Sequence, residues 1–152
     1  MEASTPTRIV VGIDGSAASE RALRWALDEA RYRQGAVAVV HAWEYPTMAL
    51  TPYGGTAVPV LTPSDLERVA ETLAHEVVAS VVGESPPVPV ETLVRRGHPA
   101  EVLVEAAKGA DLLVVGSRGR GGFTGMLLGS VSTQVVHHAT CPVVIVKPPP
   151  GE

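Results

Sequence analysis

At 152 residues, with 45% hydrophobic and 18% charged side chains, the chain has the length and composition of one packed domain, not of a disordered or fibrous segment. Its net charge of -4 argues against the broad basic face that nucleic acid selects. Cys141 is the only cysteine, which excludes an internal disulfide and favours a reducing compartment.

No charged-then-apolar leader opens the sequence, and no apolar run approaches the roughly 20 residues of a membrane helix. The expectation is a cytoplasmic protein with neither a membrane nor a nucleic-acid partner. One domain is expected over residues 1–152, with 1–7 and 148–152 as flexible tails.

The stretch 8–14, RIVVGID, is a short β-branched run of the kind buried on both faces of a sheet. A helix follows, with Ser16 as N-cap, Leu23, Ala26, Leu27 and Ala30 at helical spacing, and Gly35 as its stop. Residues 36–43, AVAVVHAW, read as a second buried strand. The proline-rich stretch 44–62 reads as a long connection of the binding-loop or lid type. From 63 to 83 a second helix is expected, its apolar stripe formed by Leu66, Val69, Ala70, Leu73 and Val77. A third strand (88–97) and a third helix (98–110) come next, with Pro99 suited to the helix's first turn. Residues 111–117 make a fourth strand, 129–140 a fourth helix and 141–148 a fifth strand.

Strand and helix alternate four times, which predicts right-handed crossovers building one parallel α/β sheet covered on both faces. In such sheets ligands bind beyond the carboxyl ends of the strands, where strand order reverses. Two turns therefore matter: GIDGS after the first strand and the tract 116–130, GSRGRGGFTGMLLGS, after the fourth.

Six glycines in those fifteen positions let backbone N–H groups approach an anion without Cβ atoms in the way. The helix beginning near Gly129 adds free amides and the positive end of its dipole. Ser130 and Ser132 offer hydroxyls, and Arg118 and Arg120 add charge. Phosphate is the fitting guest. The tract is not a P-loop, because it contains no lysine. Nor is it a dinucleotide fingerprint: GRGGFT ends in threonine and does not follow the first strand.

The spacing that does hold is Gly116, two residues, Gly119, nine residues, then Gly129-Ser130. With VVGIDGSAASERALRWALDEA at the front, VVHAW on the second strand and ATCPVVIVK at the end, the chain resembles the ATP-binding branch of the universal stress protein family. The resemblance covers nearly the whole sequence. It implies an open five-stranded sheet in the order 3-2-1-4-5, of the adenine nucleotide alpha hydrolase-like, Rossmann-like type. It also implies ATP as ligand, with Mg²⁺.

The resemblance places Asp14 beside ribose and phosphates, with Gly12 and Ile13 lining the turn, and Ala42 against adenine. Gly116, Ser117, Arg118, Gly119 and Arg120 would flank ribose and phosphates, and Gly129, Ser130, Val131 and Ser132 would hold the phosphate chain. It further implies a homodimer joined through Val143 to Val146. The expected mechanism is a nucleotide-responsive switch that changes the surface offered to a protein partner.

Asp14 also fits a role in capping the first helix, and the two roles are compatible. His137, His138 and Cys141 read as structural rather than metal-binding, because adjacent helical histidines point apart. His41, Trp25 and Trp43 read as packing residues, and Arg95 and Arg96 as a solvated strand end. No base neighbours Ser130 in sequence, so binding without efficient turnover is favoured. A slow ATPase or nucleotidyl transferase, and a scaffolding dimer without ligand, stay open as alternatives.

Overall fold

Apolar residues run without interruption through 9–11, 36–40, 112–115 and 143–146, as a sheet covered on both faces requires. The computed structural model, which describes residues 4–46, 61–119 and 127–151, has five strands: β1 (Arg8–Gly12), β2 (Ala36–Trp43), β3 (Val90–Arg96), β4 (Leu112–Gly116) and β5 (Val143–Val146). They form one parallel sheet in the order β3-β2-β1-β4-β5. The helices are α1 (Ala17–Tyr32), α2 (Pro63–Val82), α3 (Pro99–Ala106) and α4 (Ser130–His138).

Alternation along the strands divides the core in two. Ile9, Val11, Val37, Val39, Leu112 and Val114 pack on one face, with α1 and α2. Val10, Ala38, Val40, Leu113 and Val115 pack on the other, with α3 and α4. The order reverses at β1, whose neighbours are β2 and β4, so the crevice predicted between the turns after β1 and β4 is present.

Strand β1 ends at Gly12, two residues earlier than the sequence suggests, and this frees Ile13 and Asp14 to form the turn. Ser16 is the N-cap of α1, its hydroxyl accepting from Ser19 N–H. Gly35 is not the left-handed stop; Gln34 takes that role at φ 55. Gly35 is glycine for another reason, since a Cβ there would collide with the Thr7 carbonyl.

Helix α2 departs from its expected stripe. Ala70, Ala74 and Val77 are its buried residues, whereas Val69 is 61% exposed. Thr62 and Asp65 form a reciprocal capping box at its start. Those hydrogen bonds from Thr62 hold the Asp65 carboxyl below its usual value. Among the described residues no helix is long and apolar enough to cross a membrane.

Candidate functional site

The carboxyl ends of β1 and β4 open into a cavity of about 570 Å³, within the range of small-molecule sites. Gly12, Ile13 and Asp14 line it from the turn after β1, and Ala42 from the end of β2. Gly116, Arg118 and Gly119 line it from the tract after β4, and Gly129, Ser130, Val131 and Ser132 from the start of α4. Eleven of the thirteen residues picked from sequence therefore share one wall. Arg120 lies outside the described residues, as do most of 44–62 and the middle of 117–128.

Ser117 stands behind that wall. It is buried, its N–H donates to Val146 O at 3.0 Å, and its carbonyl accepts from Gly129 N–H at 2.7 Å. The same carbonyl accepts from the Ser132 hydroxyl at 3.0 Å, and the hydroxyl also reaches Gly129 O at 3.1 Å. Ser117 and Ser132 thus fasten the two ends of the glycine tract together. The Ser132 hydroxyl, expected to face phosphate, is occupied in this clasp.

Helix α4 begins differently from α1 and α2. Its N-cap is Gly129, and no side chain caps its first turn, as is also true of α3 at His98, whereas Ser16 and Thr62 cap α1 and α2. The amides of Ser130, Val131 and Ser132 belong to the turn that no intrahelical carbonyl serves. They sit at the electropositive helix end, on residues that line the cavity.

Opposite them, Ser16 donates to Asp14 Oδ1 through its N–H at 2.9 Å and through its hydroxyl. Asp14 N–H donates to Ser19 Oγ at 3.2 Å, and Ser19 Oγ donates to Ser16 O at 2.9 Å. The carboxylate is therefore fixed by the turn while facing the cavity. Among the described residues it is the only Asp or Glu that lines the cavity. His41 Nδ1 lies 2.9 Å from Ile13 O, and Ile13 N–H donates to Val40 O at 2.9 Å. These bonds tie the turn after β1 to β2.

Sequence reasoning missed a second wall. Pro99 and Leu103 of α3, with Val40 and Val115, make one side of the cavity apolar. Leu103 lies over Gly12, where a Cβ would come within 2.8 Å of its Cδ1. The buried stripe of α3 was a usable signal, but only its packing identifies the strand it covers. Trp43 and Arg96 also exceed their expected roles. They are register partners on β2 and β3, and the Arg96 guanidinium lies 5.7 Å from the Trp43 ring centroid.

His137 and His138 are exposed, and burial pushes the half-buried Cys141 thiol up in pKa. Among the described residues no three metal-ligating side chains cluster.

Comparison with known proteins follows from this geometry. The sequence profile of the Universal stress protein family matches residues 6–147. A universal stress protein of Mycolicibacterium smegmatis is 44% identical over 140 residues, which is 92% of this chain and 45% of that protein. The chain thus spans less than half the length of the curated relatives it matches. A solved universal stress protein in complex with cAMP is 29% identical, with a TM-score of 0.60 over 95% of this chain and 98% of that one. The universal stress protein from Archaeoglobus fulgidus in complex with dAMP is 26% identical, with a TM-score of 0.63 over 93% of this chain and 98% of that one.

Proposed function

The chain belongs to the universal stress protein family, and on that premise we propose that its cavity binds ATP, with Mg²⁺, as the signal of a stress-response regulator. The observation that carries this reading is the uncapped start of α4 opening onto a cavity beside Gly119. An anion supplies what the missing capping side chain does not. The adenine nucleotides bound by two related structures supply the ligand class.

The phosphates would lie against the amides of Ser130, Val131 and Ser132 and beside Gly116 and Gly119, with Arg118 adding positive charge. Arg120 would add a second. Ser117 would act indirectly, by holding Gly129 in place. Asp14, with Gly12 and Ile13, would face ribose and the metal, since Mg²⁺ bound to phosphates needs only one or two carboxylates. Adenine would occupy the apolar side formed by Val40, Ala42, Pro99 and Leu103.

Two copies would pair through Val143–Val146 of β5, an edge strand whose one neighbouring strand among the described residues is β4 and whose four residues are half-buried. Because Ser117 N–H bonds Val146 O, nucleotide at the glycine tract would be felt at that edge. A protein partner would then read the dimer.

Calorimetric titration with ATP and Mg²⁺, beside AMP and GTP, tests this. Saturable binding of ATP with little binding of GTP is expected. No heat and no rise in melting temperature in millimolar ATP would overturn it, because a ligand that binds only the native state must stabilise it.

A further inference from the structure

The turn that carries Asp14 begins where the sheet stops holding the chain. Gly12↔Val40 is the last register pair of β1 with β2, and Val11↔Val114 the last with β4. One further bond, from Ile13 N–H to Val40 O at 2.9 Å, closes the ladder. Past it, Gly15 takes the left-handed region at φ 82 and turns the chain into α1. The Ile13–Asp14 peptide lies between those two points, where its N–H and carbonyl need partners from outside the ladder.

Two side chains supply them, one at each end of the peptide. His41 Nδ1 lies 2.9 Å from the Ile13 carbonyl, which can only accept, so Nδ1 carries the proton. At the other end Asp14 N–H donates to Ser19 Oγ at 3.2 Å. A peptide unit is a rigid plane, so gripping both ends fixes the direction in which the Asp14 side chain leaves the backbone. Both grips come from elements that are themselves held. His41 belongs to β2, which lies between β1 and β3, and Ser19 is buried in the first turn of α1. His41 itself does not line the cavity, whereas its neighbours Val40 and Ala42 do, as alternation along a strand requires.

We propose that His41, with Ser19, is a positioning residue of the nucleotide site: it sets the direction of the Asp14 carboxylate by holding the peptide in front of it. This inference rests on the nucleotide reading for its ligand, and on the free protein for its geometry. Without the bond at Ile13 the peptide is free to rotate, and the carboxylate meets the nucleotide in more than one orientation. Binding then weakens although His41 touches no ligand, because order once built into the protein must be imposed on binding. A histidine that only satisfied a carbonyl would lower stability and leave the Asp14 carboxylate and the nucleotide affinity unmoved.

The test has two arms, the first without nucleotide. The Asp14 carboxyl carbon is followed by ¹³C NMR, with Asp14→Asn identifying its signal. His41→Ala shifts or broadens that signal, and His41→Asn, whose side-chain N–H falls near the place of Nδ1–H, returns it toward the parent. In the second arm ATP with Mg²⁺ is titrated calorimetrically. His41→Ala weakens binding roughly fivefold, as one lost hydrogen bond would, and His41→Asn restores most of it. In an Asp14→Ala background the further change His41→Ala leaves the rise in melting temperature with millimolar ATP as it was, because the two residues act as one unit. Unchanged β4 and β5 amide signals show that the variants are folded. An unmoved carboxyl signal in His41→Ala, or an equal loss of affinity with and without Asp14, overturns the proposal. Parent protein that binds no ATP contradicts the nucleotide reading instead, and the carboxyl signal alone then decides whether His41 places Asp14.

Discussion

Asp14 and Gly119, more than a hundred positions apart in sequence, meet so closely that a Cβ on Gly119 would stand well inside contact distance of Asp14 Oδ2. The carboxylate cannot swing away cheaply, because Ser16 donates to its other oxygen through both N–H and hydroxyl. Glycine at 119 is therefore a matter of space, and the two residues set the width of the cavity between the turns after β1 and β4.

Gly119→Ala is accordingly expected to push the glycine tract off Asp14 and weaken ATP binding at least tenfold, about 1.4 kcal/mol. Gly119 itself is exposed, so the unfolding midpoint should barely move. Titration calorimetry beside thermal denaturation separates the two effects.

Ser132→Ala removes a hydroxyl that joins Ser117 O to Gly129 O. The Gly129 N–H to Ser117 O bond remains, so the loss should be partial, about 1 kcal/mol in urea unfolding. Nucleotide affinity should fall too, because the start of α4 is less firmly placed. Stability loss with unchanged affinity would assign the clasp to folding alone.

Helix α2 offers a contrast between neighbouring valines. Val69→Ser, on the exposed side, should change stability by less than about 0.5 kcal/mol. Val77→Ala, buried against the α1 side of the core, should cost roughly 2 kcal/mol from two lost methyls and the space they leave. Paired denaturant curves would read both.

The Asp65 capping box gives a pH dependence of known sign. Thr62 lowers the folded carboxyl's pKa below 3.8, so its contribution is complete above the unfolded value and disappears as pH falls through the folded one. Stability measured from pH 5 downward should show a steeper acid limb in the parent than in Asp65→Asn. Identical limbs would remove Asp65 from the account.

The layered sheet was readable because most of its strands are short apolar runs and the first helix carries a cap at Ser16. The spacing of Gly116, Gly119 and Gly129 brought one side of the candidate cavity into view. Leu103 and Pro99 stayed hidden, because which strand a helix covers depends on tertiary packing. Val69 was misplaced for a related reason: on α2 the small Ala74, not the larger Val69, faces the core. The partnership of Trp43 with Arg96 required the β2–β3 register, which no local pattern of residues fixes.

The most direct trial of the nucleotide reading is a crystal grown with ATP and Mg²⁺ in excess. Phosphate oxygens within hydrogen-bonding reach of the Ser130, Val131 and Ser132 amides, with the base between Ala42 and Leu103, is the predicted result. A helix start that meets only solvent or its own side chains, in protein saturated with nucleotide, would contradict it.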